Sequence, residues 1–327
     1  MTGFLPSPRH RSIAILLTAA VLAGCAGKSD TPGRVKKAEK TPSAGSAAQN
    51  VSGTARQLTF SAGDQASPAF FPDGKSLIFQ NNSDGNWELY TLDLAGGDPR
   101  RLTDSPENEE NPSVSPDGRW ILCTVYPPAL DADPARDIML LSKDGKTRIL
   151  LVSGPSDDWY PRFSPDGSQV YFVSDRTDSR TSLNDAERRS AIFRVPREGG
   201  QPEQLTAGDD ETAPLPMADG SLVFRDGQKH WKRLDALGNT SELYAGDWIF
   251  GMPAAGLAGD FWLSGSENLD SSSRIVHTAP GFSPLTPLDL SNRQEDRGPN
   301  VSPDGKSLVF YGRVSGQWDL FLIPING

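Results

Sequence analysis

The sequence has little cysteine and little histidine. Of its 327 residues, two are cysteines and three are histidines. Two cysteines exclude a disulfide framework, and three scattered histidines without metal-ligand spacing argue against a zinc site. A Gly-x-Ser-x-Gly nucleophile motif and a glycine-rich phosphate-binding loop are also absent from the sequence. We therefore predict that the protein is not an enzyme, and that Cys123, inside an apolar stretch, is a buried thiol.

Basic side chains are in deficit. The chain has 32 lysines and arginines against 42 aspartates and glutamates, a formal net charge of −10. Such a balance is unfavourable for nucleic acid and for electrostatic docking on anionic lipid. We therefore predict no nucleic-acid partner, and a basic protein or peptide would be accommodated more easily.

Long apolar runs are also missing, and the longest near the start, Ile13–Leu22, is too short to span a bilayer. The motif Leu22-Ala23-Gly24-Cys25 follows it and resembles the lipobox of bacterial lipoproteins. The resemblance implies that residues 1–24 are a signal peptide and that Cys25 carries the lipid. Because Ala26 follows rather than aspartate, it also implies the inner leaflet of the outer membrane, facing the periplasm. An ordinary cleaved signal with a chance cysteine is the alternative.

Small and polar residues fill the segment 25–55 after that cysteine. Alanine, serine, glycine, threonine and lysine dominate, and large apolar side chains are almost absent. This composition predicts a disordered tether. Roughly 30 flexible residues have a root-mean-square span of about 30 Å, which would let the rest of the chain search for a partner.

Residues 56–327 contain an internal repeat. The tripeptide Pro-Asp-Gly occurs at 72–74, 116–118, 165–167 and 303–305, and Ala218-Asp219-Gly220 is a weaker copy. The last interval is about twice the others, and Gly259-Asp260 lies halfway along it, so a worn sixth copy is predicted there. Six repeats of about 40–50 residues with four short strands each are typical of a six-bladed β-propeller. The predicted fold class is therefore all-β, with four-stranded antiparallel blades.

The two ends of the repeat array complement each other. The last repeat stops after its third strand, near Ile323, whereas residues 56–60 form an orphan fourth strand before the first complete repeat. Pairing this N-terminal strand with the last three would close the ring and remove its open edges.

The repeats share an order of motifs: a Leu-Thr-like strand, an acidic loop, a proline, a Pro-Asp-Gly turn that Ser precedes in three repeats, and an alternating strand. In the second repeat these are Leu102-Thr103, Pro112 and Ser115–Gly118. The order resembles the propeller of TolB-like proteins of the Tol–Pal system over about residues 56–327. The resemblance implies an envelope location and a ligand that is an envelope protein or a translocating peptide. Residues 26–55 are too short and polar for the α/β domain that precedes this propeller in the family.

Acidic residues recur in the loops that lead from one repeat to the next. In a four-stranded meander these loops share one face, so we predict a negative channel mouth selective for basic groups. The alternative is that the carboxylates cap loops or stay solvated. Tryptophans beside two of the acids are either partner anchors or packing between blades. The candidate partner-binding residues are Asp64, Glu109, Asp157, Asp158, Trp159, Asp210, Glu211, Asp247, Trp248, Glu295 and Asp296.

Two long insertions, Pro127–Asp137 and Asp175–Ser190, lie on the same predicted face and either shape the site or are tolerated surface slack. We predict a monomeric, lipid-anchored binding scaffold that recognises a protein or peptide. The alternatives are a carbohydrate-active or hydrolytic propeller and a purely structural envelope lipoprotein. We predict no cofactor; a calcium ion among the clustered carboxylates is the alternative, without an EF-hand-like pattern to support it.

Overall fold

The computed structural model describes residues 55–128, 135–177, 189–246, 248–267, 271–288, 290, 294–314 and 316–325. The predicted signal peptide, Cys25 and residues 26–54 of the predicted tether lie outside this part of the chain. The described residues form six four-stranded antiparallel sheets arranged as the blades of a propeller, which confirms the predicted fold class. Within this part of the chain there is no helix long and apolar enough to cross a membrane.

Each blade runs from an inner strand beside the channel to an outer strand at the rim. In blades 1 to 6 the inner strands are β2 (Gln65–Phe70), β6 (Asn108–Val114), β10 (Asp158–Phe163), β14 (Thr212–Pro216), β18 (Ile249–Ala255) and β22 (Glu295–Val301). The second strands are β3 (Ser76–Asn81), β7 (Trp120–Tyr126), β11 (Gln169–Ser174), β15 (Leu222–Arg225), β19 (Phe261–Ser266) and β23 (Ser307–Val314). The third strands are β4 (Glu88–Asp93), β8 (Asp137–Ser142), β12 (Ala191–Pro196), β16 (Trp231–Leu234), β20 (Arg274–Thr278) and β24 (Gln317–Pro324). The outer strands are β5 (Arg100–Arg101), β9 (Arg148–Val152), β13 (Glu203–Gln204), β17 (Thr240–Tyr244), β21 (Leu285–Pro287) and, in blade 6, β1 (Arg56–Gln57).

The ring closes through its N-terminal strand, as the sequence predicts. β1 pairs antiparallel with β24, with Arg56 opposite Leu322, and the pairing continues where Leu58 N donates to Leu320 O at 2.8 Å. The outer strand of the last blade therefore comes from the start of the repeat array. Closure leaves no blade with an unpaired third strand.

The Leu-Thr pair has a structural function in three of the repeats. Buried Thr59 accepts a hydrogen bond on its Oγ1 from Leu320 N at 2.9 Å. Thr103 accepts the same bond from Leu89 N, and Thr206 from Ile192 N, each at 2.9 Å. The hydroxyl thus satisfies a third-strand N–H just beyond the end of the short outer strand, where the ladder would otherwise leave it unpaired.

The Pro-Asp-Gly turns join the inner strands to the second strands. In blade 2, Gly118 takes a left-handed φ of 68° and donates its N–H to Ser115 O at 2.8 Å. Ser115 Oγ donates to Asp117 Oδ1 at 2.5 Å, and this bond lowers the pKa of Asp117. The equivalent bond from Ser164 lowers the pKa of Asp166 to about 2. These turn aspartates are therefore ionised at neutral pH and stabilise the turns. We name the face that carries the Pro-Asp-Gly turns the turn face.

Apolar side chains fill the spaces between adjacent blades. Between blades 2 and 3, Leu122 and Phe163 pack with Phe172 and Phe193, whose rings stack at 5.9 Å. Cys123 is fully buried between blades 1 and 2, which confirms the prediction of a buried thiol. Because alternate residues of each strand enter these clusters, the inner strands are held rigidly around the channel.

Candidate functional site

A bulge in every inner strand shapes the channel. In each blade the register between the inner and second strands shifts immediately before or across a proline, as at Pro68, Pro112 and Pro161. The residue before the proline takes a left-handed φ in five blades, with values of 51° to 56°. A bulge bends the strand and leaves one residue out of the ladder. These five residues are Ser67, Asn111, Tyr160, Ala213 and Gly298.

Next to the bulges lies a cavity of about 330 Å³, which is lined by residues from five of the six blades. It extends to the face where the inner strands begin, because Ser266 and Ser273 at the loop between β19 and β20 also line it. We name this face the mouth face. A second cavity of about 200 Å³ lies towards the turn face. Ala69, Arg162 and Asn300 line both cavities and mark the boundary between them.

The lining of the larger cavity is cationic. Its residues include two arginines, Arg162 and Arg297, and no aspartate or glutamate. Two phenols, from Tyr160 and Tyr311, also face it. Burial raises the pKa of Tyr160, and it raises the pKa of Tyr311 to about 12, so both phenols remain protonated hydrogen-bond donors at neutral pH. The cavity therefore offers positive charge and neutral donors.

The two arginines differ in their partners. Arg297 is exposed at the mouth, pairs with Glu295 and lies over the Trp318 ring at 5.4 Å. Arg162 is half-buried and forms no hydrogen bond or ion pair with any residue that the structure describes. Burial lowers the pKa of its guanidinium, and no neighbouring charge offsets that effect. Arg162 is thus the unneutralised charge of the channel.

At position 298, in the bulge of blade 6, glycine is required because a neighbouring side chain fills the space, and not because of its backbone conformation. Ala213 holds the same position in blade 4 with the same φ of 56°, so alanine can adopt this conformation. A Cβ on Gly298, however, would lie 2.4 Å from Tyr311 Cε1. The Tyr311 ring therefore occupies the space that a side chain at position 298 would need.

Gly298→Ala is accordingly expected to lower the free energy of unfolding by about 1–3 kcal/mol, because the Tyr311 ring must move. Urea denaturation would measure the change. The matched control is the same substitution in a Tyr311→Ala background, where the space is free and the cost should fall below about 1 kcal/mol. An equal cost in both backgrounds would contradict this explanation.

Acids of the inter-blade loops cap backbone groups instead of facing the channel. Asp64 accepts Trp318 N at 3.1 Å, and Asp157 accepts Arg136 N at 3.0 Å. The equivalent position in blade 2 is Asn108, which accepts Trp87 N in the same way. An amide performs this function as well as a carboxylate, so the function is hydrogen bonding to the start of the third strand rather than charge.

Two of the predicted acids have fully buried carboxylates, and each forms an ion pair with an arginine. Asp158 accepts two hydrogen bonds from Arg176 Nη2, at 2.7 and 2.8 Å, and burial raises its pKa to about 6 despite this partner. Glu109 pairs with Arg148 and also accepts Ser105 Oγ at 3.2 Å. Both carboxylates have no exposed surface and are therefore closed to a ligand in this structure.

The remaining predicted residues are spread over blades 3 to 6. Glu211 is buried and accepts Gly208 N at 3.0 Å, Asp296 is buried, and Asp210 is exposed with Ser190 Oγ 3.3 Å away. Half-buried Trp159 lies under the Arg136 guanidinium at 5.9 Å. Trp248 packs with the cluster between blades 4 and 5, and Asp247 lies outside the described residues.

The acids and tryptophans of the predicted negative mouth that the structure describes do not line the larger cavity. Glu295 is linked to the lining through its pair with Arg297. Asp158, Glu109 and Glu295 each have an arginine as counter-charge, whereas Asp64 and Asp157 keep their charge while they accept backbone N–H groups. Among the residues described there is also no group of three or more His, Cys, Asp or Glu side chains placed to hold a metal ion. The role of the predicted residues in partner binding stays a prediction.

Sequence reasoning missed the residues that line the cavity, although the sequence contains a signal for one of them. Each inner strand has a proline at its bulge, and the residue after it is Ala69, Ser113, Leu215, Ala254 or Asn300 in five blades. In blade 3 it is Arg162, the only charged residue of the six. Aligning the repeats on this proline, rather than on Pro-Asp-Gly alone, would have singled it out.

Comparison with known proteins gives partial matches. No protein-family model matches the chain. An uncharacterised protein of Agrobacterium fabrum is 30% identical over 134 residues, which are 41% of this chain and 43% of that protein. The Tol–Pal system protein TolB of Hamiltonella defensa is 37% identical over 113 residues, 35% of this chain and 25% of that protein. An uncharacterised Bacillus subtilis peptidase, YuxL, is 30% identical over 144 residues, 34% and 22% of the two chains. Each match spans less than half the length of the curated relative.

Solved structures share the fold more completely. A putative TolB from Agrobacterium tumefaciens matches with a TM-score of 0.58 and 19% identity, over 82% of this chain and 92% of that one. An oligogalacturonate lyase in complex with manganese matches with a TM-score of 0.56 and 14% identity, over 81% and 90%. The chain therefore has a TolB-like six-bladed propeller fold, a fold that enzymes also use.

Proposed function

We propose that this propeller is a non-enzymatic binding protein of the bacterial envelope, which recognises a protein or peptide at the mouth face of its channel. The observation that carries the proposal is the cavity, which is built by five blades and extends to one face. Sites of this kind are concave, are formed on a rigid frame and carry few polar groups. The partial similarity to a Tol–Pal system protein supports the envelope location and a protein ligand.

The proposal includes a lipid anchor at Cys25. Its support is the resemblance of Leu22-Ala23-Gly24-Cys25 to a lipobox and the polar composition of residues 26–55. Several acyl chains at one cysteine give stable anchoring, where a single chain gives marginal binding. The anchor would hold the protein at the membrane while the tether allows the mouth face to reach its partner.

The enzyme alternative rests on the peptidase and lyase among the similar proteins. The peptidase similarity covers 34% of this chain and 22% of that protein, and the lyase similarity shows the fold alone. Each of the two histidines of the propeller has an acidic neighbour. His277 forms a hydrogen bond with Asp260 at 2.8 Å and packs against the Trp262 ring. His230, in another blade, lies 3.8 Å from Asp226 of that blade. Each histidine thus has an acidic partner within its own blade, and neither lines the larger cavity.

Site-specific cross-linking in cells tests the proposal. A benzoylphenylalanine at Asp210, an exposed residue of a mouth-face loop, should give a discrete adduct with an envelope protein or peptide on irradiation. The matched control has benzoylphenylalanine in place of Lys75, which is exposed beside a turn of the opposite face, and it should give no adduct. A Cys25→Ser version should leave the membrane fraction and lose the adduct. Equal adducts from both positions, or none from either, would contradict recognition at the mouth face.

A further inference from the structure

We infer that the central cavity is a binding site for a carboxylate group, held by Arg162. This inference uses the cavity on which the proposed function rests, but it concerns the chemical group that the cavity receives and does not require an envelope partner. Arg162 belongs to the inner strand β10, follows the bulge of blade 3, and lines both the larger and the smaller cavity. Arg162 therefore lies at the boundary of the two cavities, where a ligand in the larger cavity can contact it.

An unpaired guanidinium in such a place needs an explanation. The chain has more acids than bases, and half-buried Arg176 of the same blade has a carboxylate partner, Asp158. Arg162 has none among the residues that the structure describes, and burial lowers its pKa without a compensating charge. Partial burial of an unpaired charge costs stability. A ligand that supplies the missing negative charge would recover that cost, which is the behaviour of a binding group.

The surroundings of Arg162 suit an anion and exclude a cation. No carboxylate lines the larger cavity, whereas Arg297 stands at its mouth. The hydroxyls of Tyr160 and Tyr311 form no hydrogen bond with any described residue, and both stay protonated at neutral pH. The amide of Asn111 also borders the cavity. All of these groups donate hydrogen bonds, and donors around a guanidinium stabilise an oxyanion.

A carboxylate fits better than a doubly charged phosphate. Arg162 supplies one unneutralised positive charge, because the charge of Arg297 is shared with Glu295. A carboxylate is a planar monoanion whose two oxygens match the guanidinium fork. A volume of about 330 Å³ is at the lower end of the range for small-molecule sites, enough for a small organic acid or the end of a peptide. Both ligands would present a carboxylate, and separate probes are needed to distinguish a small organic acid from the C-terminus of a peptide.

Calorimetric titration of the full chain with four probes tests the inference. The probes are N-acetyl-trialanine, its C-terminal amide, acetate and inorganic phosphate. The peptide acid should bind and raise the melting temperature, whereas the amide should do neither. Acetate binding as tightly as the peptide acid would identify a small organic acid as the ligand class. Phosphate binding more tightly than both carboxylates, or equal binding of acid and amide, would overturn the inference.

Arg162→Gln should weaken binding of the carboxylate probe by about 10- to 100-fold, the usual effect of losing a charged hydrogen-bond partner. Without ligand this variant should melt at a higher temperature than the parent protein, because an uncompensated charge has been removed. That rise distinguishes lost binding from failure to fold. Arg194→Gln is the matched control: it removes an arginine from an exposed pair with Glu203 on the third strand of the same blade and should leave binding unchanged.

Two conservative variants refine the assignment. Arg162→Lys keeps the charge but loses the fork, so it should bind the carboxylate at an intermediate affinity. Tyr311→Phe removes one neutral donor and should weaken binding by a smaller factor, about 2- to 10-fold. If Arg162→Gln bound the probe as tightly as the parent, Arg162 would be a hydrated wall residue and the inference would be wrong.

Discussion

Replacing Arg176 with alanine is expected to lower the free energy of unfolding by about 3–5 kcal/mol at a pH of about 7.5. Arg176 donates two hydrogen bonds to Asp158, whose side chain has no exposed surface. Removing the guanidinium would leave a buried carboxylate without a counter-charge. A part of the loss would come from packing, because Arg176 also lies over the rings of Phe172 and Phe193, at 5.4 and 5.3 Å.

The pH dependence separates the charge effect from the packing effect. Burial raises the pKa of Asp158 from 3.8 to about 6, so the folded protein holds this proton more tightly than the unfolded chain does. The stability contribution of such a group is complete below pH 3.8 and is lost as the pH rises through about 6. Without Arg176 the pKa of Asp158 would rise further. The cost of Arg176→Ala should therefore be smaller at a pH of about 5, where the carboxyl group is protonated, than at about 7.5.

Urea denaturation at the two pH values would measure this difference, and two controls accompany it. Asp158→Asn combined with Arg176→Ala should recover most of the lost stability, since no charge remains buried. Arg194→Ala, which breaks an exposed pair with Glu203, should cost less than about 1 kcal/mol at either pH. A cost of Arg176→Ala that does not change with pH would show that packing alone is lost.

Removing the ring-closing segment is the second change with a large expected effect. A chain that begins at residue 61 lacks β1, Leu58 and Thr59, and should lose about 3–6 kcal/mol of unfolding free energy. Leu58 packs against the clusters between blades 6 and 1. Thr59 accepts the N–H of fully buried Leu320 and donates to Asp319 Oδ1 at 3.0 Å. Each of these buried groups would lose its partner, and β24 would become an open edge.

Thermal denaturation of two truncated chains would measure the effect. A chain that begins at residue 55 keeps the whole segment and should have the same melting temperature as the full-length protein. A synthetic peptide of residues 55–62 added to the shorter chain should restore part of the melting temperature, because it can pair with β24 in trans. Equal melting temperatures for the two chains would contradict a closing function for this segment.

Fold prediction from the sequence succeeded because the signals are local. Pro-Asp-Gly sets the turn through the fixed φ of proline and the left-handed glycine, as at Gly118, and the intervals between copies give the number of blades. The worn copy near Asp260 was predicted from spacing alone, and the fifth blade is found there, from β18 to β21. The buried position of Cys123 and the closing function of residues 56–60 followed from apolar alternation and from the mismatched ends.

The residues that line the cavity were not predicted, because a charged side chain has the same sequence signature whether it faces a ligand, a backbone N–H or an ion-pair partner. Asp64 and Trp318 are 254 residues apart along the chain but form a hydrogen bond across the closed ring. Asp158 and Arg176 are separated by 18 residues, and the hairpin of β10 and β11 brings them together. The acid count of the loops therefore does not show which carboxylates are paired within the fold and which are exposed.

The sequence by itself determined the all-β class, the six blades, the turns and the closure of the ring, since each depends on residues close together in a repeat or on the comparison of repeats. The tertiary structure alone decided which charges are neutralised and which remain open. Burial and pairing are set by contacts between blades and across hairpins, and these depend on the closed ring as a whole. For this reason a chain rich in acids has a larger cavity lined by Arg162 and Arg297 and by no carboxylate, while Asp158 and Glu109 are buried in ion pairs.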